Sequence, residues 1–154
     1  MKLNYRTGFS LIELIATLSI LFVLALIVMN TFVSFKKNEG LTMDTDTIVS
    51  VLRQARNQTL TSKNSSNYGV HITSTKVTLF TGSTYSSGNA NNQDFVLSSN
   101  DTILTITLTG GGSDVIFNRL TGETSQNGTV VVSASGISGT KTVTIYKTGL
   151  VDSQ

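Results

Sequence analysis

Apolar residues along the chain follow three successive patterns. From Phe9 to Phe35 nearly every position is apolar or small, with Glu13 as the one charge. From 36 to 63 the period is helical: Leu41, Thr45, Ile48, Leu52, Ala55 and Thr59 share one face, flanked by Val49 and Val51. Glu39, Asp46, Arg53, Gln54 and Asn57 fall opposite. Beyond Asn67 the period drops to two, in Tyr68-Val70-Ile72, Val77-Leu79, Leu104-Ile106-Leu108, Val115-Phe117 and Val143-Ile145. Thr, Ser or Asn fills most intervening positions, with Phe80, Ile103 and Ile116 as apolar exceptions. This alternation predicts antiparallel strands with one face in water.

The chain therefore reads as α+β: a long N-terminal helix whose second half packs on a β-rich head. The wide stripe on residues 36–63 suits a helix lying on a sheet, with Leu41, Ile48, Leu52 and Ala55 as the docking residues. Gly40 is its weak point and a place for a bend. Turns are expected at Gly110-Gly111-Gly112, Thr121-Gly122, Asn127-Gly128 and Ser138-Gly139. Asn127-Gly128, between Thr124-Ser125-Gln126 and Thr129-Val130-Val131-Val132, is a two-residue hairpin signal. The polar run from Gly82 to Asp94 cannot support a core and reads as a mobile loop.

Charge sharpens the picture at the N-terminus. Residues 1–8 carry Lys2 and Arg6 and no acid, and Lys36-Lys37 follows the apolar run. That run, 27 residues from Phe9 to Phe35, is about 40 Å long as a helix, enough to cross a hydrocarbon core of about 30 Å. A cleaved secretory signal would be shorter and end in a small-x-small site, which does not follow here. A carboxylate such as Glu13 in a membrane segment costs up to about 2.5–3.5 kcal/mol, less near the interface, and is usually kept for a partner.

The basic leader, Gly8, Phe9 and then Ser10-Leu11-Ile12-Glu13-Leu14-Ile15-Ala16-Thr17-Leu18-Ser19-Ile20 resemble the N-terminal signature of type IV prepilins and type II secretion pseudopilins. The resemblance implies four parts: a leader (1–8), a membrane and assembly helix (9–35), an amphipathic continuation (36–63) and an exported head (64–154). It implies a prepilin peptidase that cuts between Gly8 and Phe9 and methylates the new amino group on Phe9. It implies as further partners other pilin subunits and an inner-membrane assembly platform. The residues are consistent with this: glycine leaves the scissile peptide unshielded, and the leader's cations hold it on the cytoplasmic side. Glu13 would be the anion for the Phe9 amino group of a neighbouring subunit. Such a pair gains about 4 kcal/mol at ~4 Å and an effective dielectric of ~20, before desolvation is subtracted.

Leu52-Arg53-Gln54-Ala55-Arg56-Asn57, with Phe117, Gly122, Val130-Val131-Val132, Val143-Thr144-Ile145 and Gly149-Leu150-Val151, is similar to the GspH/FimT group of minor pseudopilins and pilins. That group's architecture is a long helix on a head of two sheets, and some members bind DNA through arginines after the last glycine. Here Leu150-Val151-Asp152 follow Gly149, a departure that weighs against DNA uptake.

Other chemistry finds little material. Residues 64–154 hold four cations and five acids, so no basic face argues for nucleic acid. There is no cysteine, and the single histidine, His71, reads as a solvent-side strand residue, so a zinc site is not expected. Asp94, Asp101 and Asp114 are loop carboxylates, yet no dense oxygen-ligand loop supports calcium. No Gly-x-Ser-x-Gly elbow occurs. The expectation is a non-enzymatic minor pilin or pseudopilin without cofactor or metal, set near a filament tip. The alternative is an exported ligand-binding pilin, an adhesin or a DNA-uptake subunit.

Overall fold

The computed structural model describes residues 8–154. One helix, α1, runs from Leu11 to Leu60, and the chain divides into two compact units between Lys36 and Lys37.

In the first unit the helix is apolar on every side, and its large side chains from Phe9 to Phe35 are exposed. Its few polar side chains turn back on the helix. Ser19 Oγ donates to Ile15 O at 2.8 Å, Thr31 Oγ1 to Ile27 O at 3.1 Å and Asn30 Nδ2 to Leu26 O at 3.0 Å. Backbone carbonyls thus take up donors that hydrocarbon could not satisfy. The helix is long and apolar enough to cross a membrane.

The second unit holds the rest of α1 and eight strands: β1 (Tyr68–Ile72), β2 (Lys76–Thr81), β3 (Gln93–Val96), β4 (Asp101–Leu108), β5 (Asp114–Phe117), β6 (Gly128–Ala134), β7 (Thr140–Ile145) and β8 (Val151–Ser153). They form two four-stranded antiparallel sheets, ordered β3-β2-β1-β5 and β4-β6-β7-β8. This is an α+β fold with the helix packed on a head of two sheets. Leu41, Ile48, Leu52 and Ala55 are 2, 0, 0 and 0% exposed. They join Val70, Ile72, Val77, Val115 and Phe117 of one sheet and Val130, Val132, Val143 and Ile145 of the other in a single cluster. The helix stops at Leu60, short of Lys63, because Ser62 is left-handed (φ 49°). Thr59, fully buried, donates to Ala55 O at 2.9 Å and accepts Tyr68 N–H at 3.0 Å, tying the helix end to β1.

Three local expectations are corrected. Leu104-Ile106-Leu108 does not alternate as one face, because a bulge falls between Ile103 and Thr105. It sends Leu104 outward (59% exposed) and puts Ile103 in the core (5%); one extra residue shifts every later side chain by half a period. Asn127-Gly128 is not a hairpin turn, since β5 pairs with β1 in the other sheet and Gly128 already lies within β6, opposite Leu108 and Ile145. The glycine is needed there because a Cβ would collide with the Thr107 carbonyl. The 82–94 segment is a loop only as far as Asn92. Asn92 Nδ2 donates to Ser86 O at 2.7 Å, Gln93 and Asp94 enter β3, and Tyr85 folds back on the outer face of β1 and β2. The expected turn at Gly110-Gly111-Gly112 is present, with all three glycines at positive φ where the chain crosses between sheets.

Leu52→Ala should lower the urea unfolding free energy by about 2–5 kcal/mol, whereas Leu104→Ala should change it by less than about 0.5 kcal/mol. Equal costs at the two positions would contradict the bulge.

Candidate functional site

The N-terminal site begins in non-helical chain. Gly8, Phe9 and Ser10 precede the helix and are exposed, Phe9 by 83%. Among the described residues, nothing lies within 4 Å of where a Cβ on Gly8 would stand. Leader residues 1–7 lie outside the described residues.

Ser10 starts the helix. Its carbonyl accepts Leu14 N–H at 3.2 Å, and its Oγ accepts Glu13 N–H at 3.3 Å. Ser-x-x-Glu with this hydrogen bond is one half of a capping box, a signal present in Ser10-Leu11-Ile12-Glu13 that the sequence reading passed over. Glu13 accordingly occupies the first turn, where free N–H groups and the helix dipole favour an anion. Among the described residues it forms no ion pair.

The other chemically capable side chains are dispersed. His71 is less exposed than expected of a solvent-side residue: its Nδ1 lies 2.5 Å from Asp114 Oδ1, and its ring stacks on Tyr85 at 3.8 Å. Asp94 accepts from Lys76 Nζ and Thr78 Oγ1, each at 2.6 Å. Both bonds hold its carboxyl below the usual carboxylate range, the one from Lys76 first. Asp101 is buried beside Asp44, and burial, then the hydrogen bond to Asp44 and its charge, raise its pKa to about 6. Asp94, Asp101 and Asp114 thus belong to three different contacts, and among the described residues no group of three ligating side chains could hold a metal.

A second constellation closes the head. Arg56 Nε donates to Gly122 O at 3.2 Å and its Nη2 to Thr148 O at 3.4 Å; Arg53 Nη2 donates to Val151 O at 2.9 Å. Gly149 is left-handed (φ 76°), and a Cβ on it would strike the Gly122 carbonyl and lie 2.8 Å from Arg56 Nε. The arginines near the helix end and the spaced glycines of the second half, far apart in sequence, therefore meet at one place. Arg119 Nη1 likewise donates to Ser65 O at 2.8 Å. All three arginines among the described residues are engaged with main-chain carbonyls.

Residues 3–29 match the family model for the prokaryotic N-terminal methylation motif. No curated protein and no solved structure matches the chain. The chain thus carries a prepilin-type N-terminus, which supports the type IV pilin and pseudopilin family, whose members are structural subunits. The motif implies processing by a prepilin peptidase and assembly with other pilins. With the apolar half of α1, it fits an inner-membrane anchor bearing an exported head.

Arg56→Ala should destabilise the head by about 1.5–3 kcal/mol, the range for hydrogen bonds from a charged group. Arg56→Lys should recover little, because one ammonium cannot reproduce the planar fork. Full recovery by lysine in thermal or urea unfolding would show that charge alone matters there.

Proposed function

We propose that this chain is a minor pilin or pseudopilin, inserted in the inner membrane as a precursor and cut between Gly8 and Phe9. It is then incorporated near the tip of a type II secretion pseudopilus or a type IV pilus. The observation that carries the reading is the match of the methylation motif to residues 3–29. The exposed, non-helical Gly8–Phe9 bond, two residues ahead of the Ser10-capped helix, supports it. Phe9 is the methylated terminus, and Glu13 is the assembly charge, the anion for the Phe9 amino group of a neighbouring subunit. That amino group is released only by cleavage, so cleavage switches assembly on.

Several features support a structural role over a ligand-binding one. The helical stripe is spent on the core of the head, and Arg53, Arg56 and Arg119 are spent on carbonyls. DNA uptake is disfavoured by Leu150-Val151-Asp152 after Gly149, where DNA-binding members of the resembled group carry arginines. The GspH/FimT reading rests on the sequence pattern alone, and in this chain the arginines and glycines of that pattern meet at Arg56, Gly122 and Gly149.

Mass spectrometry of the chain from cells containing a prepilin peptidase should find an N-methylated Phe9 terminus. A Met1 terminus there would overturn the reading. Glu13→Gln separates the two uses of that side chain, because glutamine also serves in a capping box but carries no charge. It should leave membrane insertion intact and abolish filament incorporation, scored by sheared-filament immunoblot. Normal incorporation would remove the charge from the mechanism.

A further inference from the structure

Asp44 and Asp101 are buried carboxyl groups from distant parts of the chain, 9 and 5% exposed. Asp44 sits on α1 one turn beyond Gly40, and Asp101 is the first residue of β4. Asp44 Oδ2 accepts Ser98 N–H at 2.7 Å, so the helix already holds the turn that leads into β4. Asp101 is fixed by its main chain: its N–H donates to Ser98 O at 2.9 Å, it pairs with Ala134, and Ser135 N–H donates to Asn100 O at 2.7 Å. Its Oδ2 is buried against Gly40 and receives no hydrogen bond from any described N–H or O–H group. A buried carboxylate oxygen without a donor is costly. The cost disappears if that carboxyl carries a proton and donates it to its neighbour, as paired carboxyls do.

We propose that Asp44 and Asp101 form a proton-operated clasp. Holding one proton, the pair fastens the helix segment 41–49 to the start of β4. Holding none, it sets two anions against each other and loosens that segment. The clasp lies within the head and does not depend on the pilin reading.

Lys37 on α1 and half-buried Lys141 on β7, opposite Val132, are the cations on the elements around the pair, and among the described residues neither forms an ion pair with Asp44 or Asp101. The turn 97–100, the segment 73–75 beside it and the turn 135–139 contain no ionisable side chain. Lys37, on the same helix, has its Nζ against Gly136. Lys76 is taken up by Asp94, and Glu39 and Asp46 are exposed. Burial, then Asp44 by hydrogen bond and charge, account for the rise of Asp101 from 3.8 to about 6. A folded-state pKa above the unfolded value means that the folded head binds the proton more tightly. The added stability is therefore full below 3.8 and lost as pH rises through about 6.

Hydrogen–deuterium exchange of the full chain in phosphocholine micelles tests this, with rates corrected for the intrinsic pH dependence of exchange. In segment 41–49 the opening equilibrium should increase about tenfold from about pH 5 to about pH 7. Asp101→Asn, whose amide can donate to Asp44 permanently, should abolish the step and hold the segment at its low-pH protection. Asp44→Asn removes the second carboxyl and should shrink the step, leaving the part that burial of Asp101 alone produces. No step in the wild type, a step equal across the whole head, a step that survives in Asp101→Asn, or an undiminished step in Asp44→Asn would each overturn the clasp. The carboxyl carbon shift of Asp101 gives an independent reading without substitution: titration near 6 supports the clasp, and titration at the ordinary aspartate value overturns it.

Discussion

The head depends on the burial of one helical stripe. Leu41, Ile48, Leu52 and Ala55 contribute to a cluster that includes the inner faces of both sheets, and neither sheet pairs with the other by strand hydrogen bonds. Without the helix each sheet would expose an apolar face that the polar turns cannot cover. The chain contains no cysteine, so no covalent cross-link shares this task. Packing against α1 makes two separate four-stranded sheets into one core, at about 1.5–3 kcal/mol for each large side chain fully buried.

The same dependence explains why the polar contacts of the helix are placed as they are. Arg53 and Arg56 leave the stripe and reach main-chain carbonyls of Val151, Gly122 and Thr148, all in the last third of the chain. A carbonyl left unpaired at the end of a sheet is satisfied by a guanidinium, which spans two acceptors at once. Glycine at 149 lets the Gly122 carbonyl approach so closely. Arg56 and Gly149 are thus one structural feature recorded twice in the sequence, and neither is explained by its own neighbourhood.

Much of this was legible from residue order alone, because burial on one face imposes a period. The helix stripe and the inner faces of β1, β5 and β7 follow directly from it. What escaped was set by contacts across the sequence. The bulge before Thr105 leaves no mark beyond an adjacent apolar pair, Ile103-Leu104. Gly128 resembles a turn glycine because both turns and close strand approaches exclude a Cβ. Asp44 is an acidic residue and still buried, since Ser98 and Asp101 supply its surroundings from more than fifty residues away. Tyr85, one aromatic in a polar run, finds His71 and Phe80 only after the strands have paired. At the N-terminus the Ser10–Glu13 cap was readable from spacing and was overlooked beside the stronger signal of a charge in a membrane-length run.

That cap changes how the charge is understood. A hydroxyl within an apolar helix can satisfy itself by donating to a carbonyl one turn back, as Ser19 and Thr31 do. An ionised carboxylate cannot, because it has no proton to give, and every interior N–H is already bonded along the helix. The first turn alone offers free N–H groups and the positive end of the dipole. Position 13 is in that turn, so the helix itself lowers the cost of a charge that would be more costly two turns deeper. A carboxylate placed there is tolerated within a single chain. The first turn is therefore the one place in this apolar helix where its own backbone can support a carboxylate.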